Sequence, residues 1–216
     1  MDKSKIDYTL YLCTDRGLMS CETIEESVEE GIKGGCSVVQ LREKDCSSRE
    51  FYELAKRVKK ITQRHNVPLI INDRVDIALL AGADGVHLGQ SDLPCDEVRK
   101  LAGENFIIGV SAATVEEAEK AENDGADYLG VGAMFPTATK TNTRPVTKDT
   151  LKEIRKAVKI PFVIIGGIKK DNIGDFAGCG MNGAAVVSAV VAQKDICLAA
   201  KEMRSAIEKA KSINCV

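Results

Sequence analysis

The chain has 216 residues, which is enough for one sizeable hydrophobic core and short for eight β/α units. Its 30 basic and 32 acidic residues give a net charge of -2, which excludes a broad basic surface for DNA, RNA or anionic lipid. Aromatic residues make up 4% of the chain and Trp is absent, so few side chains could stack on bases. We therefore expect small-molecule partners, with no nucleic acid and no membrane.

The cysteines and the apolar runs indicate the cellular compartment of the protein. The eight Cys form no C-x-x-C pair, and several lie in apolar runs, which favours reduced thiols over a disulfide framework. The start of the chain has no apolar stretch of signal-peptide length, and the longest apolar run, residues 184–192, is interrupted by Ser188. These features predict a cytoplasmic protein. The sequence leaves the oligomeric state open, with a homodimer as one option.

Short β-rich runs alternate with longer segments of helical period, which is the pattern of parallel β/α architecture. Most of the β-rich runs are continuously apolar, as expected of strands covered on both faces. The predicted strands are residues 9–14, 38–41, 69–71, 85–88, 107–110, 128–131, 162–165 and 184–187. Apolar spacing at i, i+3 and i+4 predicts helices at residues 23–33, 48–65, 114–123, 148–158 and 196–211. Ser48 and Thr114 supply the N-cap chemistry expected at two of these helices.

Glycine recurs before the even-numbered strands, at Gly35, Gly82, Gly125 and Gly180. A glycine just past a helix end can take the left-handed conformation that turns the chain into the next strand. The recurrence predicts four two-strand units that close into a single (β/α)8 TIM barrel, an α/β fold, as one domain over residues 1–216. A doubly wound open sheet is the main alternative, but no G-x-G-x-x-G follows the first strand.

Polar residues after the strands should converge, because the carboxyl ends of all barrel strands meet at one rim. Arg42 and Lys44 alternate along the chain, so both can face the barrel axis and suit a diphosphate. The alternative is an ordinary surface salt bridge with Glu43 or Asp45.

Two acidic residues follow neighbouring strands. Asp73 and Asp92 are hard carboxylates of the kind that, with phosphate oxygens and water, bind Mg2+. Singly, each Asp could instead be a helix N-cap. His87 lies at the end of a buried strand, where a lone His is more often hydrogen-bonded within the structure than catalytic, so we assign it no role. The sequence offers no convincing Cys–His or Ser–His–Asp arrangement.

The loop after strand six spans roughly fifteen residues, which is long for a β/α connection and predicts a lid. It carries Thr137, Thr139 and Lys140, and the alternative is a Thr-rich linker. The glycine pair at 166–167 and residues 187–188 follow strands seven and eight, where many barrels bind phosphate. The alternative for the glycine pair is a tight turn.

Taken together, these residues resemble the thiamine phosphate synthase family over residues 10–190. The matching strings, in chain order, are VQLREK (39–44), INDRVD (71–76), GADGVHLGQSDLP (82–94), GVS (109–111), PTATK (136–140) and IGGI (165–168). The resemblance implies a reaction between hydroxymethylpyrimidine diphosphate and a thiazole phosphate, which gives thiamine phosphate and releases pyrophosphate.

The resemblance also implies roles for individual residues. Those for the pyrimidine diphosphate are Gln40, Arg42, Lys44, Asn72, Ser111 and Lys140. The catalytic residues among them are Arg42, Lys44 and Lys140, and Asp73 with Asp92 would bind Mg2+. The residues for the thiazole phosphate are Thr137, Thr139, Gly167, Val187 and Ser188.

The chain departs from the family pattern after Ser111, where members often carry His two positions on and this chain has Ala112 and Ala113. Related thiazole tautomerases use a His in that region and lack the paired metal aspartates, so Ala113 and the Asp73/Asp92 pair both argue against that activity. A phosphoribosyl isomerase or aldolase is a further enzyme alternative. A catalytically silent phosphate-binding regulator should have lost Lys140 or a metal Asp, and all three are present.

Overall fold

A closed barrel of eight parallel strands forms the centre of the protein, in the strand order β1 to β8. The computed structural model describes residues 2–136 and 145–213. The strands are Leu10–Cys13 (β1), Val38–Leu41 (β2), Leu69–Asn72 (β3), Gly85–Leu88 (β4), Ile107–Ala112 (β5), Tyr128–Gly132 (β6), Phe162–Ile165 (β7) and Gly183–Val186 (β8). The (β/α)8 TIM barrel predicted from the sequence is therefore confirmed.

The barrel closes where β1 pairs with β8. Leu10 lies opposite Ala184 and Leu12 opposite Val186, while the other edge of β1 pairs with β2. Because all neighbouring strands are parallel, their carboxyl ends lie at one rim, and the residues that follow them share that rim.

Helices alternate with the strands around the barrel. They are Ile24–Lys33 (α1), Ser48–Arg64 (α2), Val75–Leu80 (α3), Cys95–Ala102 (α4), Val115–Asn123 (α5), Lys148–Ala157 (α6), Ser188–Val191 (α7) and Ile196–Ser212 (α8). Two short 3-10 helices, Lys3–Lys5 and Ile173–Phe176, precede β1 and connect β7 to β8. No helix in the described residues is both long and apolar enough to span a membrane.

Capping side chains fix where the longer helices begin. The Thr114 side chain accepts a hydrogen bond from the Glu117 N–H, as predicted. The prediction for Ser48 was wrong by one residue. Ser47 is the N-cap of α2, and its hydroxyl and the Glu50 carboxylate satisfy each other's backbone N–H groups in a capping box.

The turns into the even-numbered strands use left-handed glycines. Gly35, Gly82, Gly125 and Gly180 have φ of 103°, 65°, 91° and 77°. Most residues with a Cβ avoid these angles, which confirms the steric reason for the repeat.

Apolar side chains form two separate cores. The larger core lies between the outer face of the barrel and the helices. The smaller one groups nine buried side chains from the strands and from the segment before β1: Tyr8, Tyr11, Cys13, Val38, Ile70, Ile107, Tyr128, Val163 and Ala185. Cysteine thiols contribute to both cores, and the seven cysteines within the described residues are free.

Candidate active site

The rim receives three of the predicted site residues from the strands themselves. Gln40 lies within β2 and is 6% exposed, Asn72 ends β3, and Ser111 is near the end of β5. Asn72 and Ser111 are half-buried. A partly buried polar side chain at the carboxyl end of a barrel strand is typical of a substrate-binding position.

A chain of hydrogen bonds crosses the barrel from Gln40 to Ser111. Gln40 Nε2 donates to Tyr11 Oη at 2.9 Å, and Tyr11 Oη lies 2.6 Å from Tyr128 Oη. His87 completes the chain, with Nδ1 3.0 Å from Tyr128 Oη and Nε2 3.0 Å from Ser111 Oγ. We call these five residues the polar relay. These hydrogen bonds connect strands β2, β1, β6, β4 and β5, which lie far apart along the sequence.

Both tyrosines of the relay are neutral. Burial raises the pKa of Tyr11 and of Tyr128 well above the usual value of 10.0. Each hydroxyl therefore keeps its proton and can donate one hydrogen bond while accepting others.

The contact between His87 and Ser111 was not predicted from the sequence. Their distance of 3.0 Å resembles that of a Ser–His pair in a hydrolase. The other ring nitrogen of His87, however, faces the Tyr128 hydroxyl. A neutral hydroxyl cannot stabilise an imidazolium as a carboxylate does, so this arrangement does not activate Ser111 as a nucleophile.

Arg42 is anchored at the rim by the loop after β1. Its Nη1 lies 3.3 Å from Asp15 Oδ2, and its backbone N–H donates to the buried Thr14 hydroxyl. The next residues pair in the same way, since Arg16 Nε lies 3.1 Å from Glu43 Oε2. Two consecutive ion pairs thus join the β1 and β2 loops. The partner Asp15 is distant in sequence, which is why the pattern around Arg42 did not indicate it.

An open groove of about 1100 Å³ lies beside this junction. Arg42 and Lys44 line one part of it, and Leu54 and Arg57 of α2 line another. Five cations and five acids contribute to the lining, so the groove as a whole favours neither anions nor cations: Asp15, Arg16, Arg42, Glu43, Lys44, Asp45, Arg49, Glu50, Glu53 and Arg57. Lys44 is exposed, whereas Arg42 is half-buried.

Asp73 and Asp92 follow the neighbouring strands β3 and β4, and both are half-buried. Asp73 has φ of 62°, a left-handed conformation that few residues other than glycine adopt. Its N–H donates to the His87 carbonyl, and the N-cap of α3 is Arg74. Asp92 Oδ2 accepts from the Gly89 N–H at 2.6 Å, which holds the carboxylate near the end of β4. Neither Asp is the N-cap of the helix that follows it.

Few of the described side chains at the rim could act as metal ligands. Within residues 2–136 and 145–213, no group of three or more His, Cys, Asp or Glu side chains is arranged to hold a metal ion. A pair of carboxylates fits Mg2+, which usually takes one or two protein carboxylates and completes its shell with phosphate oxygens and water.

Gly167 follows β7 with φ of 65°. A Cβ at this position would lie 2.7 Å from Phe135 Cβ, so glycine is required by packing against the loop after β6. Val187 precedes the short helix α7, and the exposed Ser188 is its first residue. The first backbone N–H groups of a helix have no carbonyl partner within it. Thr137, Thr139 and Lys140 lie outside the described residues.

Comparisons with known proteins identify the family of the chain. Residues 10–190 match the family model described as thiamine monophosphate synthase. The thiamine-phosphate synthase of Clostridium beijerinckii is 58% identical over 203 residues, covering 94% of this chain and 97% of that protein. The thiamine-phosphate synthase of Clostridium botulinum is 56% identical and covers 98% of this chain and 99% of its own length.

A solved structure supports the same relationship. Thiamine phosphate pyrophosphorylase from Pyrococcus furiosus superposes with a TM-score of 0.88 at 40% identity, covering 95% of this chain and 98% of that chain. Both the sequence and the three-dimensional fold are thus shared over nearly the whole length. The chain belongs to the thiamine monophosphate synthase family.

Proposed function

We propose that this enzyme condenses 4-amino-2-methyl-5-hydroxymethylpyrimidine diphosphate with hydroxyethylthiazole phosphate, or its carboxylated form, to give thiamine phosphate and pyrophosphate. The observation that carries the proposal is the 58% identity, over 94% of the chain, with a protein named thiamine-phosphate synthase. The rim supports it independently, because it offers polar groups for a heterocycle beside cations for an anionic leaving group.

Gln40, Asn72 and Ser111 would bind the pyrimidine. Gln40 and Ser111 are the two ends of the polar relay, and Asn72 ends β3, which pairs with the strand of Gln40. Amide and hydroxyl groups held in a largely buried site can discriminate strongly among ring nitrogens and amino groups, because an unmatched buried polar group is costly.

Arg42, Lys44 and Lys140 would act as catalytic residues by neutralising the diphosphate as it leaves. The ion pair with Asp15 supports this role for Arg42, because it holds at the rim a planar guanidinium whose donor geometry matches phosphate oxygens. Lys44 adds an exposed cation two residues further along the same loop.

Asp73 and Asp92 would hold Mg2+ against the same diphosphate. The hydrogen bonds made by the Asp73 N–H and the Asp92 carboxylate support this, because they fix both residues at the ends of adjacent strands. Bound Mg2+ would supply positive charge that stabilises the departing pyrophosphate.

The thiazole phosphate would bind between the loop after β6 and the ends of β7 and β8. The residues proposed for it are Thr137, Thr139, Gly167, Val187 and Ser188. The contact of Gly167 with Phe135 supports this site, because it brings the loop after β6 against the end of β7.

The reaction needs no enzyme nucleophile. The bond between the pyrimidine methylene carbon and the diphosphate oxygen breaks, and its electron pair leaves with pyrophosphate. The amino group of the ring stabilises the resulting methylene cation, and the thiazole nitrogen then donates its lone pair to form the new C–N bond. Arg42, Lys44 and Lys140 stabilise the leaving charge, and closure of the predicted lid would exclude water from the cation.

The tautomerase alternative would need an acid or base at position 113, two residues after Ser111, and the chain has none there. Ala113 carries only a methyl group, and its backbone N–H donates to Glu117. We propose, too, that the partners are the two phosphorylated substrates. The cytoplasmic location, the single domain and the homodimer option stay predictions.

The test is a direct assay of the purified protein with both substrates. We expect thiamine phosphate and pyrophosphate in equal amounts, with turnover that requires Mg2+. An Asp92→Ala variant should lose the Mg2+-dependent turnover and keep its thermal transition. Absence of thiamine phosphate from the wild-type reaction would overturn the proposed function. Unchanged turnover by Asp92→Ala would overturn the metal role alone.

A further inference from the structure

Donor counting gives the polar relay a direction. Gln40 Nε2 is a donor only, so Tyr11 Oη accepts from it, and within the described residues Tyr128 Oη is the partner to which Tyr11 can donate its own proton. Tyr128 then donates to His87 Nδ1, which must be unprotonated. The proton of the neutral ring lies on Nε2 and is donated to Ser111 Oγ.

The direction decides what both ends offer to a ligand. The amide of Gln40 keeps its Oε1 and its second N–H for other partners. Ser111, having accepted from His87, keeps its hydroxyl proton to donate. With the Gln40 amide turned over, every bond of the relay would reverse, and Ser111 would have to donate into the relay.

The neighbouring strands make room for the relay. A Cβ on Gly109 would lie 2.1 Å from Tyr128 Cζ, and a Cβ on Gly130 would lie 2.9 Å from His87 Cε1. These glycines have no left-handed φ angle that would otherwise require glycine. Space for Tyr128 and His87 is therefore a specific reason for glycine at both positions.

We propose that Tyr128 is a positioning residue for the pyrimidine substrate. Its buried hydroxyl fixes the tautomer of His87 and, through Tyr11, the amide orientation of Gln40. This inference rests on the proposed function for the identity of the substrate. The relay itself is a property of the protein without substrate, so its direction can be measured separately.

The first experiment reads the His87 tautomer by long-range 1H–15N NMR of the labelled protein without substrate. The chain has two histidines, and His65 on the surface provides an internal reference. We use about pH 8, above the usual pKa of His. The relay predicts a wild-type His87 with the proton on Nε2, and a mixture of both tautomers in Tyr128→Phe. Predominance of the Nδ1–H tautomer in the wild type would overturn the assigned direction.

Tyr8→Phe is the matched control. The Tyr8 ring lies 5.0 Å from that of Tyr128, and its hydroxyl is not part of the relay. We expect this variant to keep the wild-type His87 signal and the wild-type kinetics. An equal change in the signal on both substitutions would show that the measurement follows general packing and would overturn the role of the Tyr128 hydroxyl.

The second experiment compares KM for the two substrates. Tyr128→Phe should raise KM for the pyrimidine diphosphate roughly tenfold, the usual scale for one lost buried hydrogen bond, with KM for the thiazole phosphate unchanged within about twofold. Equal changes in both KM values, or no change, would overturn the positioning role. A wild-type protein that makes no thiamine phosphate would instead refute the proposed function, and the NMR result would still decide the relay.

Tyr11→Phe keeps the proposal testable if Tyr128→Phe does not fold. This variant removes the acceptor of Gln40 and leaves the contact between Tyr128 and His87 intact. We expect the same selective rise in KM together with a wild-type His87 tautomer. A changed tautomer, or an unchanged KM for the pyrimidine diphosphate, would contradict the relay.

Discussion

Asp15 Oδ2 lies 3.3 Å from Arg42 Nη1, and each side chain is about four-fifths buried. The pair joins the loop after β1 to the end of β2. It orients a guanidinium at the rim before any substrate is bound. A diphosphate therefore meets a cation whose position is already fixed, which reduces the entropy lost on binding.

Arg42→Lys tests whether this fixed guanidinium matters beyond its charge. Lysine keeps the charge and loses the planar donors that can bond Asp15 and phosphate together, so we expect kcat/KM to fall by roughly ten- to a hundredfold. Steady-state kinetics would measure this fall in kcat/KM. Arg16→Lys, in the adjacent ion pair with Glu43, is the control; because Arg16 is exposed and lysine keeps its charge, kcat/KM should change less than about threefold. Equal losses in both variants would contradict a special role for Arg42.

Asp73→Gly separates the metal role of this residue from its backbone conformation. Glycine adopts φ of 62° readily, so the free energy of unfolding should stay within about 1 kcal/mol of the wild type while Mg2+-dependent turnover is lost. Urea unfolding and the product assay measure the two effects. Asn66→Gly, at the other non-glycine residue with positive φ in the described chain, should keep full activity. Retained turnover in Asp73→Gly would refute the metal assignment.

Stability should fall in alkaline solution because buried acids of the barrel keep their protons. Burial raises the pKa of Cys13 from 9.0 to about 12 and raises the pKa of Tyr11 and Tyr128. Above about pH 9 the unfolded chain therefore binds fewer protons than the folded one, and the free energy of unfolding decreases as the pH rises towards 12.

Urea midpoints at about pH 8 and about pH 10.5 would measure this decrease. Cys13→Ala removes one of the three groups and should make the decline shallower. A urea midpoint that is the same at both pH values would contradict the prediction.

Ser47→Ala should destabilise the protein by about 1 kcal/mol, because it removes the capping box with Glu50 at the start of α2. Ser48→Ala is the control. Its hydroxyl accepts a bond from Arg74 and caps nothing, so we expect a loss below about 0.5 kcal/mol. Thermal or urea unfolding would distinguish the two variants, and a larger loss in Ser48→Ala would reverse the assignment.

Much of the barrel could be predicted because its strands are buried on both faces and appear as short apolar runs. Three of the eight predicted strands have the observed bounds, and the others differ by one or two residues at an end. Helices α3, α4 and the four-residue α7 were missed. Helices α3 and α4 have six and eight residues, and their N-caps, Arg74 and Pro94, make no capping side-chain bond, so neither periodicity nor a cap indicates them.

The placement of candidate site residues at the rim was predictable where position along a strand decides it. Gln40, Asn72 and Ser111 follow from the rule that strand ends share a rim. The pairing of Asp15 with Arg42 and the polar relay depend on which side chains the barrel register brings together, and a single sequence does not contain that information. The tyrosines of β1 and β6 look like ordinary core residues until the register is known.

The pairing of β1 with β8 has a consequence for synthesis on the ribosome. During synthesis, one hydrogen-bonding edge of β1 (Leu10–Cys13) stays unpaired until β8 (Gly183–Val186), more than 150 residues later in the chain, has been made. The nascent protein thus presents an unpaired apolar strand for most of its translation. Such an edge is a natural target for chaperones that bind extended apolar segments.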